Sequence, residues 1–247
     1  WILDKAKTPM GSRLIRSWLL RPLLSPAMIK RRQAAVQELF SDPVARGELS
    51  LALRDVGDME RLIGKIVYGT AGCRDLAALS SSAAELPKLR DLVSPMKSQL
   101  LTEIAGMDLL ADVKDLIDKA ICDDPPFSVR EGGFIRRGYN KEVDYLHGLL
   151  ENSTGAMAAI EAKERERTGK KLRVGYNKVF GYYIEIPRSM SSDVPEDYIR
   201  KQTLTNCERF ITQELKDLES TLLTAKDRIA ALEYQLFTEV RETLAAR

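Results

Sequence analysis

Histidine and cysteine are scarce in these 247 residues: one His and three Cys in all. A catalytic triad would have to use His147, which has no serine or cysteine motif beside it, and one histidine rules out a two-histidine metal site within the chain. His147 reads as a surface or interhelical residue. Cys73, Cys122 and Cys207 stand apart with no CxxC pair, so neither a disulfide framework nor a zinc site is indicated and the thiols read as reduced. No apolar run approaches the roughly 18 residues that span a membrane, and no signal peptide is visible. There is no GxxxxGK[ST] loop, and Gly132-Gly133 with Gly138 does not fit GxGxxG, so nucleotide hydrolysis is not expected. Asp123-Asp124 precede Pro125-Pro126, where stopping a helix explains them better than acid–base chemistry. The chain reads as a non-enzyme with no cofactor and no metal of its own. Net charge is only +2 although 30% of residues are charged, so any affinity for a charged polymer must come from local segregation.

Helix signals dominate what is present, and at 44% hydrophobic the chain can bury a substantial core. Thr8-Pro9, Ser25-Pro26 and Asp42-Pro43 each set a capping residue before a proline at the first helical position, where the missing N–H costs nothing. Met10, Leu14, Ile15, Trp18 and Leu19 share one helical face, and Ile29, Val36, Leu39 and Phe40 are expected to face inward from the next helix. Further helices are expected over 59–67, 76–93 and 109–121, with Pro87 kinking or breaking the second of these. The start at Trp1 without methionine and the stop in mid-pattern at Arg247 read as an excised piece of a longer protein.

Two heptad-like segments follow. Leu146, Leu150, Ser153, Met157, Ile160 and Glu164 alternate spacings of 4 and 3 or 3 and 4, as do Leu215, Leu218, Leu222, Ala225, Ile229, Leu232 and Leu236. The second helix runs from Gln213 to the chain end, about 50 Å at 1.5 Å per residue. Between them lies RVGYNKVFGYYIEIP (Arg173–Pro187), rich in β-formers, with Thr168-Gly169 stopping the outgoing helix. Leu172, Val174 and Tyr176 alternate with polar or small residues as a half-buried strand. Asn177-Lys178 turns the chain, Val179 to Ile186 is a second strand, and Ile199 to Phe210 is further extended structure. The expected fold is mainly α: a helical core bundle with long antiparallel helices carrying a small antiparallel β module at the tip. The expected division is 1–152, 153–212 and 213–247.

Charge gathers at that module. Between Arg165 and Lys178 there are six basic residues (Arg165, Arg167, Lys170, Lys171, Arg173, Lys178) and one acid, Glu166. Arg200-Lys201 is followed by Gln202, Thr203, Thr205, Asn206 and Arg209, side chains suited to phosphate and sugar oxygens. Solvated surface charge is the alternative. Tyr176, Phe180, Tyr182 and Tyr183 fit base stacking, although a small sheet's core is the commoner use of such residues.

Several long stretches carry a resemblance: TPMGSRLIRSWLLRPL, DVGDMERLIGKI, PPFSVREGGFIRRGYNKEVD, ERERTGKKL, RVGYNKVFGYYIEIP and YIRKQTLTNCERFITQELKDLE, in this order over essentially the whole chain. They resemble the MutS family of DNA mismatch repair proteins, in a bacterial-type form that possesses a clamp. The resemblance implies core and lever helices with the clamp inserted, two subunits encircling duplex DNA, and clamps that touch the backbone without reading bases. Mismatch reading, and the ATP and Mg of an ATPase domain, would lie outside this chain. It further implies a cytoplasmic, nucleoid-associated DNA repair protein with downstream repair partners and no membrane. Carried over by motif, backbone contacts are expected at Asn177, Lys178, Arg200, Lys201, Gln202, Thr203, Asn206 and Arg209; Lys170, Lys171 and Arg173 are added by charge. Thr205 and Cys207 receive no role. The competing reading is a helical coiled-coil scaffold that binds another protein, for which a basic β module has no obvious use.

Overall fold

The structure, a computed structural model, describes residues 2–130 and 132–247. It is mainly α with one four-stranded antiparallel sheet, as expected. The helices are α1 (Pro9–Leu20), α2 (Pro26–Ser41), α3 (Pro43–Ala52), α4 (Met59–Val67), α5 (Cys73–Ala84), α6 (Leu86–Val93), α7 (Gln99–Ala105), α8 (Ala111–Ala120), α9 (Lys141–Glu151), α10 (Ser153–Thr168) and α11 (Gln213–Ala245). The strands are β1 (Arg173–Asn177), β2 (Gly181–Pro187), β3 (Ile199–Thr203) and β4 (Cys207–Ile211). The chain divides into two compact units, Trp1–Tyr139 with Tyr234–Arg247, and Asn140–Glu233.

In the first unit the local signals act as read. The Thr8 hydroxyl accepts from Gly11 N at 3.0 Å, and the Asp42 carboxylate accepts from Val44 N and Ala45 N, each satisfying orphan donors of a helix start. Ser25 makes no such bond. Pro87 breaks the 76–93 pattern: α5 stops at Ala84 and α6 starts at Leu86 with the proline in its first turn. Leu76, Leu79, Leu89, Val93 and Ile117 are buried in the core. The connector after α8 is tied down by an isolated bridge between Ile121 and Ile135, and Phe134 meets Phe237 of α11 edge to face with ring centroids 5.8 Å apart.

Of the α2 residues expected to face inward only Leu39 is half-buried, and the shared apolar face of α1 is not covered either. No residue of α1 is buried and only Ala35 of α2 is. Val36 and Phe40 are 66% and 71% exposed, and Leu14, Trp18, Leu19 and Ile29 are also exposed. The periodicity is real, but among the described residues no second layer covers it. The guanidinium of Arg32 sits 3.6 Å over the Trp18 ring instead.

In the second unit, α10 ends at Gly169, whose φ of 65° is the left-handed stop that the sequence suggests. The outgoing helix is interrupted at Asn152. Lys163 pairs with Glu214 at 2.8 Å and His147 faces Glu233 at 3.3 Å, an inverted order of partners that makes α9–α10 and α11 antiparallel. His147 is thus interhelical. Leu215, Leu222, Ala225 and Ile229 are buried as spaced, but the stripe then moves one residue: Glu233 is fully buried while Leu232 is half-buried. A straight helix of 3.6 residues per turn drifts from a 3.5-residue repeat, so the face that meets its neighbours shifts along α11.

The sheet order is β1-β2-β4-β3, every pair antiparallel. One face, with Leu172, Ile184, Ile186, Phe210 and Tyr198, packs on Ile160 of α10 and Leu215 of α11. The hairpin turn takes Lys178–Phe180, so β2 begins two residues later than Val179. Gly181 dictates this: its φ is 80°, and a Cβ there would lie 2.1 Å from the Glu219 carboxylate, so no other residue fits without displacement. Both sheet edges are modified. Val174 N, on β1, donates to Glu161 Oε2 of α10 at 2.9 Å, and β3 carries a bulge between Arg200 and Gln202 that leaves Lys201 as the extra residue.

Candidate nucleic-acid interface

All eleven candidate residues lie in the second unit, but the fold sorts them by face and by partner. Register places Arg173, Glu185, Arg209 and Gln202 side by side in one row across the sheet's outer face. The Arg209 guanidinium is engaged on three sides: Nε donates to Glu185 Oε2 at 2.9 Å, Nη1 donates to Gln202 Oε1 at 3.0 Å, and the group stacks 4.4 Å from the centroid of the Tyr183 ring. The Glu185 carboxylate accounts for most of the upward push on the Arg209 pKa. Arg209 and Gln202 therefore hold three strands together.

The bulge at Lys201 splits the RKQT run. Arg200 turns to the sheet's other face, opposite Phe210, with its guanidinium 5.7 Å from that ring and 3.1 Å from Glu208 Oε2. Thr203 stands opposite Glu208, and Lys201 remains exposed with no ion pair among the described residues. At the opposite end of the sheet from the β3–β4 turn, the Asn177 Oδ1 accepts from Val179 N at 2.7 Å, an Asx turn that occupies its acceptor. Lys178 is exposed beside it.

Where α10 hands over to β1, an open groove of about 680 Å³ is lined by Arg165, Lys170, Lys171, Arg173, Glu185 and Asn206, with Leu172, Pro187 and Cys207 completing its walls. Lys171 and Arg173 are exposed and form no ion pair with any described residue; Lys170 Nζ donates to Met190 O at 2.8 Å and has no acid partner among the described residues. Arg165 is paired with Glu161 at 2.7 Å and gives Nε to Leu172 O at 3.0 Å. Arg167, counted with the basic run in the sequence, is withdrawn from it by Asp197 and by Glu164, whose Oε2 accepts from the Tyr198 hydroxyl at 2.7 Å. Burial, then that hydrogen bond, push the Tyr198 pKa well above the usual phenol range.

Sequence reading missed Arg188. It follows Pro187 of the groove wall, is exposed, and its backbone N donates to Asn206 O at 3.0 Å. It lies outside the two basic clusters in sequence, and only the pairing of Pro187 with Cys207 brings it to Asn206. The aromatics also divide. Tyr182 packs against the core and Tyr176, 58% exposed, leans on it at 5.0 Å between centroids, whereas Phe180 pairs with Tyr183 at 5.6 Å. Among the described residues no group of three or more His, Cys, Asp or Glu is placed to hold a metal ion, and no helix is long and apolar enough to cross a membrane.

A basic groove on a small sheet, built from the same stretches that carry the family resemblance, makes comparison with known proteins decisive. The sequence profile described as MutS domain III matches residues 1–247. The chain belongs to the MutS domain III family. The DNA mismatch repair protein MutS of Methanosarcina barkeri is 51% identical over 251 residues, covering 99% of this chain and 28% of that protein. Its counterparts in Acetivibrio thermocellus and Symbiobacterium thermophilum are 48% and 47% identical, over 99% and 100% of this chain and 28% of each relative. The chain thus spans about 28% of the length of these curated relatives.

Proposed function

We propose that this chain is the non-catalytic, DNA-gripping portion of a MutS mismatch repair protein, a lever and clamp that holds duplex DNA by its backbone and couples that grip to an ATPase domain outside the chain. Membership of the MutS domain III family supports the repair role. The observation that carries the grip is the gathering of cations without acid partners among the described residues (Lys170, Lys171, Arg173) where α10 passes into β1, in a chain whose net charge is only +2. Such side chains suit phosphate oxygens, which position a duplex but carry no sequence information. ATP and Mg, a homodimer that closes around DNA, downstream repair partners and a cytoplasmic, nucleoid-associated location belong to the same reading of the whole protein. The chain itself hydrolyses nothing.

A helical scaffold that binds protein is the second reading. The exposed apolar faces of α1 and α2 favour it for the first unit, since large contiguous apolar patches are interaction surfaces more often than free ones. The two readings concern different units and are compatible.

Fluorescence anisotropy of a labelled duplex, matched or carrying one mismatch, tests the proposal. The expected result is weak binding, in the range of about 10⁻⁴–10⁻⁶ M, that falls with salt and is equal for the two duplexes. A preference for the mismatch, or salt-insensitive binding, contradicts it, and saturable stoichiometric ATP binding contradicts the non-catalytic part.

A further inference from the structure

We infer that the duplex backbone seats in the groove where α10 meets β1, held by Lys170, Lys171 and Arg173 with Arg188 at its flank, and that Arg200, Gln202 and Arg209 serve the sheet rather than the nucleic acid. This rests on the DNA-gripping reading and makes it specific in a direction the sequence does not suggest, because the longest run of candidate residues there is Arg200-Lys201-Gln202-Thr203.

Three observations lead to the groove. The first is charge balance. Four cations line it, and the acid among its lining residues, Glu185, already accepts from Arg209 at 2.9 Å, so the groove's own cations are left without a counter-charge inside it. On β3 and β4 the reverse holds: Arg200 is paired with Glu208, and Arg209 with Glu185. Breaking the Arg200 pair to reach a phosphate would leave the largely buried Glu208 carboxylate, 8% exposed, without its partner, and freeing Arg209 would cost its bonds to Glu185 and Gln202. The second is donor supply. Lys171, Arg173 and Arg188 make no side-chain hydrogen bond or ion pair among the described residues, and the exposed Asn206 amide adds neutral donors at the same wall. The third is support. The groove floor is Leu172, buried in the core cluster, and its walls are the ends of β1, β2 and β4; Arg173 projects from β1, while Lys170 and Lys171 lie in the short connection from α10 that Leu172 anchors and Arg188 in the single turn that follows β2. A groove whose cations have no counter-charge inside it fits a polyanion whose charges repeat at fixed spacing. Duplex DNA, the ligand of the proposed function, is that polyanion.

The salt dependence sets the scale. Four phosphate contacts give a slope of log K against log salt near −3.6, about −0.9 each, or roughly a hundredfold loss of affinity between about 50 and about 200 mM salt. Three variants of the 247-residue chain separate the surfaces: Lys171→Ala/Arg173→Ala/Arg188→Ala in the groove, Arg200→Ala/Lys201→Ala on β3, and Lys226→Ala on α11 as the control. All replace exposed residues, and circular dichroism checks that each stays folded. The groove variant is expected to bring the slope to about −1, while the β3 variant moves it by at most about one contact, that of Lys201. Cys207 supplies an independent readout, since it is one of the groove walls and Cys122 lies in the other unit. Duplex is expected to slow maleimide labelling of Cys207 several-fold and leave Cys122 unchanged.

A β3 variant that loses slope while the groove variant keeps it, with Cys207 unprotected, overturns the groove and leaves the DNA-gripping reading standing. If neither variant differs from the parent, the groove is likewise overturned. Absence of any salt-dependent duplex binding by the parent chain sinks the function and the groove together. Should the groove variant lose retention on immobilised polyglutamate yet keep its duplex affinity, the groove serves an acidic protein and the assignment to DNA is wrong.

Discussion

Arg209 separates two accounts of the module, because motif alone makes it a phosphate contact and structure makes it a fastener. Its side chain is 19% exposed, and three interactions hold it. The pair with Glu185, itself 34% exposed, contributes about 1 kcal/mol at that degree of solvent screening. The neutral bond to Gln202 contributes about 1 kcal/mol, and the stack on Tyr183 about 0.5–1 kcal/mol. Arg209→Ala should therefore weaken the sheet by roughly 2–3 kcal/mol. Arg209→Lys keeps the charge but not the planar fork that meets Glu185 and Gln202 at once, so it should lose about half as much. Hydrogen exchange of peptides spanning β2, β4 and β3 reads the loss, with α5 in the other unit as internal standard. Both variants should exchange faster in the sheet, whereas their duplex affinity and salt slope, measured well below the melting transition, should match the parent. If Arg209→Ala leaves sheet exchange unchanged and flattens the slope by about one contact, the guanidinium leaves its partners to meet DNA and the fastener account is wrong.

Two further outcomes follow from burial and from charge. Leu222 is a seam residue of α11, 7% exposed, and Leu222→Asp should cost about 3 kcal/mol or more by burying an unpaired charge, while Leu232→Asp, at a half-buried position, should cost clearly less. Urea titrations followed by circular dichroism would show the reverse order if the one-residue phase shift at Glu233 were misplaced. Asp58 binds Arg13 through both oxygens and caps α4 through Arg61 N, and the Arg13 bonds chiefly hold its carboxyl at about 2 against an ordinary 3.8. Because the folded-state value is the lower one, this contribution is complete above pH 3.8 and disappears as the pH falls towards 2. Asp58→Asn retains a good cap but has no proton to gain, so its melting temperature should fall less than the parent's between pH 6 and pH 2.5; equal falls would show that the Arg13 pair contributes nothing.

Local chemistry was the part of the fold most readable from sequence. The hydroxyl of Thr8, the carboxylate of Asp42, the break at Pro87 and the stop at Gly169 each depend on neighbours within a few residues, and each appears where the pattern puts it. Faces were less readable, since periodicity shows which residues share a side and not what covers it: Val36 and Phe40 share theirs with nothing described. The start of β2 slipped by two residues because the positive φ of Gly181 and its approach to Glu219 are tertiary facts. Within the candidate site, position on the module was legible and orientation was not. One extra residue at Lys201 sends Arg200 to one face and Gln202 to the other, and Arg188 joins Asn206 only through strand pairing.

A four-stranded sheet with β1 and β3 outermost has two rows of backbone groups on which another strand could build. On β1 the Glu161 carboxylate occupies the Val174 N–H, and on β3 the irregular step at Lys201 breaks the even spacing a new strand would need. A cation stands at that step, so an approaching edge of the same kind meets like charge as well as mismatched register. One carboxylate and one inserted lysine thus keep such modules from zipping to each other when many are crowded together. Replacing Glu161 with a residue that cannot accept, or deleting Lys201, would turn a solitary sheet into one that recruits strands and aggregates.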